Sequence, residues 1–196
     1  MTLDEMVKLT GKRSETFEIM MKFLSEIENP LIVETGCMRE ENNFEGDGMS
    51  TLIFDTYCSE KGGELWSVDL DQKAVDFANS KVKVGNVVCS DSITFLRDKN
   101  KEFLKEGKKI DLLYLDSFDL DPDNAHPSAL HHILELTAII PSLKEGTMVV
   151  VDDNIVEMIE EKKYKILGKG TYVAQYFQAI GVIPTFIGYQ WGWILK

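Results

Sequence analysis

The sequence predicts an α/β protein built on a doubly wound, mostly parallel sheet of seven strands that finishes in an antiparallel hairpin. Three observations carry this expectation. Short apolar runs alternate with amphipathic stretches from residue 31 to residue 151, and those runs are continuous, as in strands covered on both faces. The last two runs lie too close together for a parallel crossover, which needs a dozen or more residues.

Residues 14–27 place Phe17, Met20, Met21, Leu24 and Ile27 at helical spacing, and Pro30 blocks continuation, so residues 1–30 read as a helical lead-in. The first strand is Leu31-Ile32-Val33, followed by a helix from Ser50 to Tyr57 and a second strand, Leu65-Trp66-Ser67-Val68. A helix after Asp71 carries Ala74, Val75 and Ala78. The third strand covers Val84 to Val88, and a short helix then bears Ile93, Phe95 and Leu96. The fourth strand, Ile110 to Leu115, precedes a helix opened by Pro127 and Ser128, with Leu130, Ile133, Leu134, Thr137 and Ala138 on one face. Thr147 to Val151 is the fifth strand. After a helix from Tyr172 to Ile180, the runs Ile183 to Ile187 and Trp191 to Leu195 form the hairpin around Gly188. Right-handed crossovers follow, and ligands of such sheets bind outside the carboxyl ends of the strands.

A chain of 196 residues suits one domain, here residues 31–196 behind the lead-in. Its 44% hydrophobic and 28% charged residues are the mix of a soluble globular protein. No apolar run approaches the roughly 20 residues that span a bilayer, and the start MTLDEMVKLTGKR lacks the apolar centre of a signal peptide, so a cytoplasmic location without membrane contact is expected. Cys37, Cys58 and Cys89 are odd in number and widely spaced, which points to reduced thiols rather than disulfides or zinc. A net charge of −12 opposes binding to a phosphate backbone and favours a small-molecule substrate over nucleic acid. The four lysines between Lys162 and Lys169 read as a solvated helix end or loop.

The first chemical constellation is LIVETG at 31–36 with the glycine-rich GDGMST at 46–51. Glycines at a strand end let backbone approach a ligand, and the helix beyond offers free N–H groups. A dinucleotide fingerprint would need G-x-G-x-x-G, but Met49-Ser50-Thr51 follows Gly46 and Gly48 with no third glycine, and Glu34 would face a pyrophosphate unfavourably. The second constellation, LWSVDLD at 65–71, sets Asp69 at the end of the second strand, where a carboxylate can accept from ribose hydroxyls. Asp71 suits the helix cap. The third pairs YLDSFD at 114–119 with VVVDDN at 149–154, so that Asp116, Asp152 or Asp153, and Asn154 can converge, a set of hard oxygens suited to Mg²⁺ or Ca²⁺.

With its closing hairpin, this pattern resembles the class I S-adenosylmethionine-dependent methyltransferases, with their Rossmann-like fold. The resemblance implies that Glu34 is the acid and Gly36 the first glycine of the first motif, with Gly46 or Gly48 under the cofactor beyond the longer interval 37–45. It implies further that Asp69 holds the ribose, that Leu70 packs on the adenine, that Asp91 and Ser92 meet the adenine amino group, and that Asp116 lies beside the methyl group. The acidic strand ends resemble those of metal-dependent O-methyltransferases of the catechol and caffeoyl-CoA type, implying Asp116, Asp153 and Asn154 as ligands of a metal that activates a substrate hydroxyl. The macrocin type of sugar O-methyltransferase would bring in Asp152. Asp119 stands where the catechol type has its lysine base, so Asp119 or His126 is expected to take the proton. His131 and His132 read as surface residues. Tyr189, Gln190, Trp191 and Trp193 should border the substrate opening, with the tryptophans packing in the core. The lead-in is either a cover over the cofactor or a contact in a homodimer. Two other classes remain open: a non-catalytic S-adenosylmethionine-binding module, and a metal-dependent hydrolase or oxygenase using the acidic loop 116–126.

Overall fold

A computed structural model describes the chain except residues 47, 48, 161 and 162. For 156–160 and 163–166 it describes the backbone alone. The chain opens with α1 (Leu3–Leu9), started by a capping box in which Thr2 accepts from the Glu5 amide and Glu5 from the Thr2 amide. A single 3₁₀ turn leads to α2 (Ser14–Ser25), which buries Phe17, Met20 and Leu24 at helical spacing. The lead-in therefore holds a helix more than the spacing predicts.

Next come β1 (Leu31–Thr35), α3 (Ser50–Lys61), β2 (Glu64–Asp69), α4 (Gln72–Lys81), β3 (Asn86–Cys89), α5 (Ser92–Glu106), β4 (Leu112–Leu115), α6 (His126–Ile139) and β5 (Met148–Val151). The order β3-β2-β1-β4-β5 is parallel throughout. α7 (Thr171–Ala179) returns the chain to β8 (Phe186–Ile187) and β9 (Trp191–Ile194), and β9 lies antiparallel beside β5. Every residue of β1, β4 and β5 is buried, as central strands covered on both faces require. Alternate residues feed two cores. Ile32, Tyr114 and Val150 meet the helices α1 to α4, whereas Val33, Leu113 and Val149 meet α5, α6 and α7.

One element escaped the sequence. Between β5 and α7 the chain forms a separate antiparallel pair, β6 (Asn154–Glu160) and β7 (Lys163–Gly168), whose open end brings Asn154 opposite Gly168. Lys163 and Lys165 thus belong to a hairpin strand, and Lys169 is buried at its base rather than solvated. No helix among the described residues is long and apolar enough to cross a membrane.

Candidate active site

The sheet changes direction between β1 and β4, and there the carboxyl ends of neighbouring strands separate into a crevice. Gly36 sits at this point with φ +81°, and a Cβ on it would lie 2.5 Å from the Asp116 carbonyl oxygen, so no other residue fits without strain. Asp69, at the tip of β2, accepts from the Cys37 amide at 3.1 Å and from the Asp71 amide at 2.9 Å. Two backbone donors thus fix its orientation while lone pairs remain toward the crevice. Asp71 caps α4 through the Lys73 amide, as expected.

Beside Asp69 lies a cavity of about 100 Å³ lined by Leu70, Asp91, Ser92, Ser117, Phe118 and His131. Leu70 and Phe118 are exposed apolar side chains at its mouth. Asp91 caps α5 by accepting from the Thr94 amide and hydroxyl, both at 2.8 Å, and these bonds hold its carboxyl below the usual range. Gly36, Cys37, Arg39, Ser50, Asp69, Asp116 and Ser117 surround a smaller hollow of about 20 Å³.

Two residues of the first motif do not lie in the crevice wall. Glu34 does not face the crevice: it is fully buried beneath it, and its Oε2 accepts from Thr51 at 2.7 Å and Ser67 at 2.6 Å, tying β1 to α3 and β2. Burial pushes its carboxyl up to about 7 against the pull of the Ser50, Ser67 and Thr51 hydroxyls. Its Oε1 makes no hydrogen bond among the described residues, and Ser50 connects Glu34 to the hollow above. Gly46 lies off the crevice, its amide donating to Asn43 Oδ1 at 3.2 Å in a local turn. Gly48 lies outside the described residues.

The histidines also depart from expectation. His132 is wholly buried on α6, its Nδ1 against the Ser128 carbonyl at 2.7 Å, and burial pushes its imidazole down to about 4. His131 is half-buried in the wall of the 100 Å³ cavity, with Nε2 2.9 Å from Ser92 Oγ and 3.3 Å from Glu135 Oε1. The hydrogen bond to Glu135 raises its pKa. Glu135, fully buried, also accepts from Ser117 at 2.6 Å and Thr35 at 3.1 Å. Burial works against its charge, but His131, His132 and the hydroxyls prevail and hold it below the usual range. The apolar stripe on α6 misled because Leu130, Leu134 and Thr137 are exposed, whereas the buried face carries Ala129, His132, Glu135, Leu136 and Ile139.

Across the switch point three carboxylates meet two cations. Asp152, wholly buried, accepts from Arg13 Nε and Tyr114 Oη, both at 2.6 Å, and from Gln190 Nε2 at 3.3 Å. Gln190 in turn accepts from Thr16 of α2. Arg13 reaches Asp153 Oδ1 at 3.3 Å with Nη2 and the Glu45 carbonyl at 3.0 Å with Nη1. Lys169 Nζ lies 2.5 Å from Asp116 Oδ1 and 2.8 Å from Asp153 Oδ2. Asp153 is held there by a left-handed backbone, φ +51°, the kind of strain that collects at functional sites. Burial opposes its charge, but Lys169 prevails and lowers its pKa. Burial raises that of Asp116 despite Lys169, with Asp152 and Asp153 adding to the rise, so of the two it is Asp116 that more readily takes a proton.

Asn154 is not turned toward these oxygens. Its Nδ2 donates to the Val151 and Asp152 carbonyls and its Oδ1 accepts from the Gly170 amide at 2.8 Å, so the expected ligand is a backbone brace. With the ammonium between Asp116 and Asp153, the residues present do not fit a divalent ion. Among the described residues no group of three or more His, Cys, Asp or Glu is arranged to hold one.

Outside Asp153 opens a cleft of about 860 Å³, walled by Lys12, Asp119, Pro122, Ile187 and Tyr189. Asp119 is exposed there and pairs with Arg39 at 3.5 Å, so Arg39 stands between the cleft and the 20 Å³ hollow. Burial and the hydrogen bond to Asp153 push the Tyr189 phenol above its usual range. Of the C-terminal aromatics, Tyr189 alone borders the opening; Trp191 and Trp193 are core, stacked near Phe177. His126 is exposed but does not line the cleft: Nδ1 is 2.5 Å from Tyr172 Oη. Sequence reasoning missed Arg13, Tyr114, Glu135 and Lys169. Only Lys169 carried a local signal, the Gly168-Lys169-Gly170 triplet.

No protein-family model and no curated protein matches the chain. Solved structures do. CalS11, the calicheamicin methyltransferase, matches with a TM-score of 0.60 and 12% identity over 93% of this chain and 80% of its own. The fold is that of class I methyltransferases. MycE, a methyltransferase of the mycinamycin biosynthetic pathway solved with Mg and SAH, matches with a TM-score of 0.59 and 11% identity. The match covers 95% of this chain but 54% of MycE, so the chain spans about half of that protein. A Plasmodium falciparum protein described as a ribosomal RNA methyltransferase matches over 93% of both chains, with a TM-score of 0.52 and 15% identity. This methyltransferase fold therefore serves small and large substrates alike, and does not choose between them.

Proposed function

We propose that this chain is an S-adenosylmethionine-dependent methyltransferase that methylates a hydroxyl of a small molecule. The observation that carries the reading is the crevice at the β1–β4 switch point, where Gly36 and an oriented Asp69 occupy adjacent strand tips. Asp69 would accept from the ribose hydroxyls, Leu70 and Phe118 would flank the adenine, and Asp91 and Ser92 would meet its amino group. The unpartnered Glu34 Oε1 beneath Ser50 offers a buried acceptor for the amino group of the methionine end, which supports a cationic ligand over a phosphate. S-adenosylmethionine, when bound, supplies an activated methyl group. Because cavities of about 100 and 20 Å³ fall below the several hundred Å³ usual for ligand pockets, binding must displace the Arg39 side chain, which lines the smaller hollow.

The acceptor would enter the cleft beside Asp153 and Tyr189. Its hydroxyl oxygen takes the methyl, and its proton passes to the Asp119 carboxylate at the cleft wall. Lys12 in that wall brings the lead-in of residues 1–30 to the acceptor cleft. The net charge of −12 favours a small substrate over RNA. The test is calorimetry with S-adenosylhomocysteine. Wild type should bind, and Asp69→Ala should lose about 1.5–3 kcal/mol, the worth of a hydrogen bond to a charged group. Equal affinity in the two proteins, or none in wild type, refutes the cofactor assignment.

A further inference from the structure

We propose that Lys169 is the resident cation of this site, standing where the acidic strand ends would otherwise hold a divalent metal, so that the wild-type chain binds none there. The ammonium lies between Asp116 Oδ1 at 2.5 Å and Asp153 Oδ2 at 2.8 Å, with the Asp116 carbonyl at 3.4 Å as a third acceptor. It is held there by design of the backbone as much as by charge. A Cβ at Gly168 would lie 2.5 Å from the Asp153 carbonyl oxygen, and one at Gly170 would lie 2.7 Å from Asn154 Oδ1. Glycine on both sides is what lets the chain press Lys169 against residues 153 and 154. Asn154 completes the clamp by accepting from the Gly170 amide, which turns its side-chain oxygen away from any metal shell.

The Asp152 and Asp153 carboxylates are engaged elsewhere as well. Asp153 Oδ1 faces Arg13, and Asp152 takes Arg13, Tyr114 and Gln190. A Mg²⁺ or Ca²⁺ ion needs six or more oxygens, and entry would bury two further charges beside two cations. Lys169 does not line the cleft, so it is a positioning residue: it holds the Asp116 and Asp153 carboxylates at fixed separation without an exchangeable ion. The inference deepens the methyltransferase reading by saying how its acceptor side is charged. Its test omits S-adenosylmethionine, so that its outcome is independent of that reading.

Thermal unfolding of the full chain is followed in EDTA, Mg²⁺, Ca²⁺ and Mn²⁺ for wild type, Lys169→Ala and Lys169→Ala with Asp116→Asn. The wild-type midpoint should be the same in all four. Lys169→Ala leaves two buried carboxylates with no ammonium, and its midpoint should rise by about 5–10 °C when the ion is at a hundred times its dissociation constant. The double variant should lose that response. A metal-dependent rise in wild type overturns the proposal, as does a folded Lys169→Ala that ignores every ion. If Lys169→Ala does not fold in EDTA, recovery on refolding with Mn²⁺ supports the proposal, and failure with and without Mn²⁺ overturns it.

Discussion

The two sides of the switch point are built by different means. On the side of β1, β2 and β3, the two carboxylates at the strand tips are oriented mainly by neighbours in sequence, Asp69 by the Asp71 amide and Asp91 by the Thr94 amide, with the Cys37 amide reaching Asp69 from further off. On the side of β4, β5 and β9, Asp116 is oriented by Lys169, 53 residues away, Asp152 by Arg13, 139 residues away, and Asp153 by both cations. The first side should tolerate loss of a partner because water can replace it at a half-exposed strand tip. The second cannot, since a buried carboxylate stripped of its cation has no solvent to turn to.

The sharpest way to break this contrast is Arg13→Ala, which strands Asp152 in the core. Unfolding by urea should show a loss of about 3–5 kcal/mol. A loss below 1 kcal/mol would mean that the two sides are alike. Next comes the seam between them, where α6 buries His132. An imidazole whose folded pKa is pushed from its ordinary value to about 4 favours the folded state when neutral, so its contribution is complete above pH 6.5 and disappears as pH falls toward 4. Between those limits wild type should lose about 3 kcal/mol more than His132→Gln. Parallel pH profiles would show that the imidazole is not buried as described.

Asp119→Ala should lower kcat about a hundredfold or more if this carboxylate takes the proton, with His126→Ala near wild type. The reverse ranking, measured with any accepted substrate, would move the base to the rim beside Tyr172. The smallest effect belongs to the locally built side. Asp91→Ala removes the α5 cap and should cost about 1 kcal/mol in urea unfolding.

The same contrast explains what could be read in advance. The strand order and the hairpin were legible because continuous apolar runs and short connections are local facts, and Asp69 was legible because a carboxylate at a strand tip follows from its own strand. Asp116 and Asp153 were found on the same ground. What they bind was not, because the sequence around YLDSFD and VVVDDN carries no cation, and a metal was the natural way to neutralise them. The lysine that does so hides in a run that looks solvated, at the base of a hairpin whose strands lack a strong alternating pattern. Glu34 was placed by type but not by depth, since an acid in a strand buried on both faces gives no sign of which layer its hydroxyl partners occupy.

Arg13 also sets an order of events. It lies near the beginning of the chain, yet the carboxylates it pairs with are 139 and 140 residues further on. Closing so long a loop is entropically costly and comes late. During synthesis on the ribosome α1 and α2 emerge before β5, and the guanidinium between them must stay hydrated until β5 has been made. The side of the site built on Asp152 and Asp153 is thus completed only after the sheet's centre has formed.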